Sequence, residues 1–351
     1  MNTLQKTIES IAPLDKQSMN DVQKRLDSLT KPKDSLGKLE RVIKQIAGIR
    51  RDPLPDIRKK AAILMAGDHG VAAQNVSAYP QEVTVQMLMN FARGGAAMSI
   101  LLEQLGGQLY IVNVGVAHPV PPHARIIDRN IKKGSDDISK GPAMTEKEAT
   151  AALQVGIDMA NMAIQEGADI IAIGEMGIAN TTPSAAIASF YTGLTPEDVT
   201  GRGSGIDDVR FQNKIRAVRQ ALALNKVSKS EPLLVLAQLG GLEIAGLAGV
   251  ILGSAAGKTP VVIDGFISSV AAISACELAP LAKHYIIGSH LSFEPGHQAV
   301  LNYLQIEPML LLDMRLGEGS GAALAMQIID SSMLLLHKMA TFEEAGVAVK
   351  I

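Results

Sequence analysis

Tryptophan is absent from these 351 residues, and phenylalanine and tyrosine together supply only 3% of them. So little aromatic surface argues against a platform on which nucleic-acid bases stack. Cysteine occurs once, at Cys276, which excludes an intrachain disulfide and any metal site built from several cysteines. A reducing cytosol is the natural setting for such a chain, so a cytoplasmic location is expected. Neither sign of charge is in excess, with 33 Lys and Arg against 35 Asp and Glu. No basic block or acidic tail is present to recruit a nucleic acid or another polyelectrolyte. The opening MNTLQKTIESIAPLDKQ has no long apolar core followed by a small-residue cleavage site, so it does not read as a secretory signal. The most apolar stretch, 233–256, carries Gln238 and Glu243. A carboxylate there is costly in lipid, so the stretch reads as a buried strand, a turn and a close-packed helix, with no membrane partner.

What is present is a large apolar content, 47% of the residues. The length suits two domains, or one large α/β domain with appended helices. Residues 1–50 are polar and helical in pattern, interrupted at Pro13 and Pro32, and Asp34 or Ser35 is the expected cap of the helix that follows. A theme then repeats, in which an apolar run ends at a glycine-bearing loop and a helical pattern follows. The runs are 61–65, 109–114, 169–173, 233–237, 260–263, 284–287 and 308–312. Short apolar runs between helical patterns predict a parallel sheet covered on both faces. Ligands of such sheets bind beyond the carboxyl ends of the strands, where this chain places its glycines.

The loop MRLGEGSGAALA at 314–325 sets one carboxylate, Glu318, between Gly317 and Gly319. A lone carboxylate in such a turn can accept a proton from a ligand, or it can simply complement the positive end of the helix behind it. The loop at 174–184 joins a strand to a helix and contains Gly177, Asn180, Thr181 and Thr182. It fits either a tight helix start or a cradle for an anion. It lacks both the Walker ending and the G-x-G-x-x-G spacing. A flexible turn at 200–206 carries Arg202, with Lys214 downstream, and a third loop gathers Ser292, Glu294, His290 and His297. Asp68, His69, His290, Glu294 and His297 are the candidate metal ligands, but no tight ligand spacing such as HExxH joins them, so no metal is expected. The absence of a G-x-S-x-G elbow argues against a serine hydrolase. The strand ending at Asp264 offers one acid, whereas a site for a pyrophosphorylated sugar normally shows two adjacent ones.

Taken in order, KPKDSLGKLE (31–40), AGDHGV (66–71), YPQEVT (79–84), GEMGIANTTPSAA (174–186), LGGLEIAGLAG (239–249), VVIDGF (261–266), SHLSFEPGH (289–297) and MRLGEGSGAALA resemble the nicotinate-nucleotide:dimethylbenzimidazole phosphoribosyltransferases of cobamide (vitamin B12) synthesis. The resemblance runs essentially end to end. It implies transfer of ribose 5-phosphate from nicotinate mononucleotide to a ring nitrogen of 5,6-dimethylbenzimidazole. Nicotinate leaves, the glycosidic bond inverts from β to α, and the product is α-ribazole 5′-phosphate. It also implies an α/β fold, with a parallel sheet flanked by helices in a Rossmann-like three-layer arrangement and a small helical domain. The expected division is 1–55 plus about 322–351 for the helical domain and 56–321 for the catalytic one. A homodimer without cofactor is implied as well.

By the same resemblance Glu318 is the general base. Glu175, Gly177, Asn180, Thr181, Gly203, Asp264, Gly265 and Ser292 line the nucleotide half of the site, with the phosphate near 177–181, 201–204 and Ser292. Tyr79, Met87 and Leu316 line the base half, with Lys214 as a further candidate; Arg202 is another, from its place in the 200–206 turn. Lys214 corresponds to a family lysine near Glu175 and is either its ion-pair partner or a substrate contact. Some members have serine at the Tyr79 position and glutamine at the Met87 position, so the choice of base is open. A related transferase using another base, such as adenine or a phenol, and a non-catalytic nucleotide-binding protein are the alternatives.

Overall fold

Every residue from Lys60 to Gly67 is buried. A strand with both faces covered belongs inside a parallel sheet, because crossover helices shield each side. The computed structural model describes residues 3–348. In it Lys60–Gly67 is β1, followed by β2 (Gln108–Gly115), β3 (Ile126–Asp128), β4 (Ile170–Met176), β5 (Val261–Ile263), β6 (Ile286–Leu291) and β7 (Pro308–Leu311). All pair in parallel, in the order β3-β2-β1-β4-β5-β6-β7. The α/β class expected from the sequence holds.

The helices are α1 (Thr3–Ser10), α2 (Lys16–Ser28), α3 (Lys38–Arg50), α4 (Glu82–Arg93), α5 (Ala97–Gln104), α6 (Glu146–Gln165) and α7 (Thr181–Thr192). After them come α8 (Pro196–Val199), α9 (Asp208–Leu224), α10 (Pro232–Leu239), α11 (Leu242–Ala256), α12 (Phe266–Leu278), α13 (Pro295–Leu304) and α14 (Ser320–Lys338). Successive side chains of a strand point to opposite faces, and β1 divides accordingly. Ala61, Ile63 and Met65 join an apolar cluster with α6, α11 and α12. Ala62, Leu64 and Ala66 join another with α2, α3, α4, α5 and α14. The result is three layers.

The N- and C-terminal helices meet on the second face. Arg25 donates to the Met339 carbonyl at 3.1 Å, and Leu29 bridges Thr341. α1 packs instead with the first cluster. Residues 1–2 and 349–351 of the expected helical unit lie outside the described residues.

Three local expectations are corrected. The run 233–237 is part of helix α10, not a strand. A short buried apolar run has no period to separate helix from strand, and Pro232 at the first helical position supplies the start signal. Helix α3 is not capped by Asp34 or Ser35. Gly37 is its N-cap, and Glu40 reaches back to accept the Leu36 amide at 3.0 Å while pairing with buried Lys31 at 2.8 Å. The edge strand β3 adds a seventh strand where no apolar run signals one; its three residues are too few to show alternation.

β4 and β6 also run further than their apolar cores, through Glu175 and His290, because neighbouring strands hold them in register, Met65 opposite Glu175 and His290 opposite Leu310.

Candidate active site

After β1 the chain moves outward through β2 and β3, then returns to the other side of β1 with β4. That reversal opens a crevice at the carboxyl ends of β1 and β4, the usual ligand position in such sheets. A cavity of about 530 Å³ lies there, and every residue nominated by the resemblance lines it. Glu175, Gly177, Asn180 and Thr181 come from β4 and the turn into α7. Asp264 and Gly265 follow β5. Ser292 follows β6. Leu316 and Glu318 lie between β7 and α14. Arg202, Gly203 and Lys214 come from the α8–α9 region, Tyr79 from the loop before α4 and Met87 from α4 itself.

The loop that carries Glu318 has an unusual backbone. Gly317, Glu318 and Gly319 have φ of 83°, 65° and 88°. Three successive left-handed residues are tolerable because two lack a Cβ, and the strain is carried by Glu318 alone. The turn is locked from below. Its Glu318 N–H donates to Glu175 Oε1 at 3.4 Å, and Gly319 N–H donates to Asp264 Oδ2 at 3.0 Å. Asp264 Oδ1 also accepts from the Gly321 and Ala322 amides at 2.7 and 3.2 Å. Asp264 thus caps α14, whose N-cap glycine has no side chain to do so.

Three carboxyl groups share this wall, and their surroundings separate them. Burial pushes Glu175 up to about 8, opposed by the amide of Asn180, with nearby Asp264 raising it further. Burial pushes Asp264 up to about 7 against the pull of its backbone donors. Glu318 rises only to about 6, from burial alone. No described protein group donates a hydrogen bond to its carboxylate, so its lone pairs are open to the cavity.

The 177–181 and 201–204 loops face one another. Lys214 Nζ donates to Thr181 Oγ1 and to the Gly201 carbonyl, both at 2.8 Å. Burial lowers Lys214 to about 8, with the Glu294 carboxylate acting in the other direction. Among the described residues no ion pair joins Lys214 to Glu175; the lysine stitches 181 to 201 instead. Arg202 also borders the cavity, but its guanidinium donates to Ile206 O and Asp208 and stacks on Phe211. The Ser292 amide donates to His297 Nδ1 at 2.8 Å, and His297 Nε2 meets Ser269 Oγ at 2.9 Å. His297 is therefore a neutral orienting group, and burial drives it down to about 3.

The five candidate metal ligands do not converge. Asp68 and His69 lie behind the cavity, where His69 Nε2 meets Glu243 Oε1 at 2.8 Å. His290 and Glu294 line the cavity, and His297 sits behind Ser292. Among the described residues no group of three or more His, Cys, Asp or Glu side chains is placed to hold an ion.

Several lining residues are not among the substrate contacts nominated by sequence, including Val83, Phe266, Glu294 and Arg315. Val83 and Phe266 fall within the quoted motifs. Glu294 and Arg315 do so as well; Arg315 lies beside Leu316 with its guanidinium 5.8 Å from the Phe293 ring.

A phosphoribosyltransferase family matches residues 11–347. The nicotinate-nucleotide–dimethylbenzimidazole phosphoribosyltransferase of Chloroflexus aggregans is 50% identical over 350 residues, covering 100% of this chain and 99% of that protein. The chain belongs to this phosphoribosyltransferase family. The Desulforamulus reducens protein of the same name is 47% identical, with 99% of both chains covered. The crystal structure of the Thermus thermophilus member superposes with a TM-score of 0.91 at 41% identity, covering 96% of this chain and all of that one. Members of the family are enzymes, and so is this chain: a phosphoribosyltransferase built on their α/β fold. No described helix is long and apolar enough to cross a membrane.

Proposed function

We propose that the enzyme transfers ribose 5-phosphate from nicotinate mononucleotide to 5,6-dimethylbenzimidazole, with Glu318 as general base. The observation that carries this reading is the contrast among the three carboxyls. Among the three, Glu318 alone takes no hydrogen bond from the described protein groups and is only modestly raised, so near neutral pH it is ionised and available. A base with a pKa just below the working pH is well matched to proton removal.

The chemistry needs little else. The leaving pyridinium is already cationic. As one nitrogen of the benzimidazole bonds to C1′ from the α face, the C1′–nicotinate bond breaks and its electron pair returns to the pyridine nitrogen. The proton on the distal benzimidazole nitrogen passes to Glu318. The remaining acceleration comes from holding both rings in line. The 177–181 and 201–204 loops, with Ser292, are suited to the phosphate, where the α7 N-terminus adds its partial positive charge. Asp264 and Gly265 border the ribose region, and Tyr79, Met87 and Leu316 border the base.

The enzyme works as a homodimer in the cytoplasm. Exposed Phe293, Leu311, Leu312 and Leu316 lie on two adjoining segments beside the cavity and offer an apolar contact face; a monomeric mass by light scattering removes that part. Nicotinate release from nicotinate mononucleotide, measured with and without a panel of bases and with product identification, tests the reaction. Release only with a benzimidazole, giving the α-linked product, is expected. Preferred use of adenine or a phenol favours a related transferase, and no release with any base leaves a nucleotide-binding protein.

A further inference from the structure

Behind the cavity, one hydroxyl ties together the two halves of the site. Thr84, fully buried in the first turn of α4, donates to Asp68 Oδ1 at 2.6 Å. The Thr84 hydroxyl oxygen itself accepts the backbone N–H of Ile178 at 3.2 Å. Asp68 is held in turn, its Oδ2 accepting the Ala117 amide at 2.9 Å. Ile178 lies in the loop proposed for the phosphate, between Gly177 and Ala179, and Ala179 has φ of 76°. Thr84 stands next to Val83 and one helical turn before Met87, both of which line the cavity, Met87 in the half proposed for the base. No other side chain among the described residues hydrogen-bonds to both the 177–180 loop and the 68–69 turn.

We propose that Thr84 is a positioning residue that sets the spacing between the base pocket on α4 and the phosphate loop after β4. Its hydroxyl acts by holding the Ile178 amide and by answering to the fixed Asp68 carboxylate. The two substrates thereby meet with the attacking nitrogen in line with C1′. The proposal rests on the transferase reading above. Its chemical reason is that a hydroxyl both donates and accepts, so one atom fixes two elements at once, whereas an isosteric methyl fixes neither.

The test is the base 5-methylbenzimidazole, whose two ring nitrogens are inequivalent. Attack through one or the other gives two isomeric products, and their ratio reports how the base sits against the ribose. Thr84→Val keeps the shape and removes both bonds. We expect kcat to fall about tenfold or more while KM for nicotinate mononucleotide changes less, because small misplacements of reacting atoms cost up to about 10²-fold. The isomer ratio shifts by about threefold or more, equivalent to ~0.65 kcal/mol between two transition states. Thr84→Ser restores both.

A Thr84→Val variant that keeps wild-type kcat and isomer ratio overturns the proposal. Thr84→Ser and Thr84→Ala form a second pair differing by the hydroxyl alone, read per folded molecule. If neither hydroxyl-free variant folds while Thr84→Ser does, the bond serves the fold and the proposal fails. A wild type that makes neither isomer, nor any product from 5,6-dimethylbenzimidazole, overturns the transferase reading and the proposal with it.

Discussion

The backbone N–H of Glu318 points at the carboxyl of Glu175, 3.4 Å from Oε1, while the Glu318 side chain takes no hydrogen bond from the described protein groups. One glutamate thus orients the other's backbone and leaves its carboxylate free. Glu318→Gln preserves the shape and deletes the base. Its kcat should fall about 10²-fold or more while nicotinate mononucleotide still binds. The pH profile gives a second readout. The active form is the carboxylate and burial lifts Glu318 to about 6, so wild-type kcat/KM should fall as pH drops through about 6. Glu318→Gln should lose this titration from the profile and keep only those of the substrates and the remaining carboxyls. Near-normal turnover in the variant sinks the assignment.

The same group should make the inactive variant more stable. Glu318 has its ordinary value of 4.5 when unfolded and about 6 when folded. Between these values the folded state holds the proton more tightly, so wild-type stability declines as pH rises through the window. Above it the ionised carboxylate carries the full penalty. Glu318→Gln lacks that penalty and should show a higher Tm than wild type at pH 7–8. The difference should shrink as pH falls toward 4.5. An equal or lower Tm at neutral pH contradicts the burial of this carboxylate.

Gly174 tests how closely the loop is seated. A Cβ at this strand position would stand 2.4 Å from the Glu318 carbonyl oxygen. That neighbour is backbone and cannot swing aside. Gly174→Ala should cost about 1–3 kcal/mol in urea unfolding, the range for overpacking. It should also lower kcat by displacing Glu318. Wild-type stability and rate together would mean that β4 and the 317–319 turn are less intimate than described.

The phosphate assignment predicts a preference for nucleotide over nucleoside. Removing the phosphate deprives the 177–181 loop, the 201–204 loop and Ser292 of their charged partner. Each charge-assisted hydrogen bond that disappears should cost ~1.5–3 kcal/mol in kcat/KM. Comparing nicotinate mononucleotide with its dephosphorylated nucleoside measures this directly. Equal kcat/KM would reduce these loops to structural parts.

Tyr79 and Met87 would give the proposed base pocket a phenol ring and a thioether. Both provide dispersion surface and few fixed hydrogen bonds. A methyl group in an apolar pocket is worth only about 1–3 kcal/mol. Benzimidazole and 5-methylbenzimidazole should therefore be used within roughly 10- to 200-fold of 5,6-dimethylbenzimidazole. Phenols should be far poorer, because their O–H is both proton source and nucleophile, and a carboxylate set for a distal ring N–H is misplaced for them. Competition assays with product separation check this. If p-cresol outcompetes 5,6-dimethylbenzimidazole, the placement of Tyr79, Met87 and Glu318 around the base is wrong.

The sequence by itself determined the class of fold, since apolar runs ending at glycines can be buried on both faces only in a parallel sheet. Motif order carried the family, and with it the residues that line the cavity. Tertiary structure decided what neighbours impose. The run at 233–237 became helix α10 because a short apolar segment has no period of its own. Glu175 and His290 proved to be strand residues because hydrogen-bonding partners extend β4 and β6 beyond their apolar cores. Lys214 faces Thr181 and Gly201, and Asp264 faces the start of α14; each pairing spans a separation that no local pattern encodes. The difference among the three carboxyls is likewise set by burial and by donors brought from distant loops, so the resemblance separates Glu318 from Glu175 by motif position while the folded chain supplies the physical contrast between them.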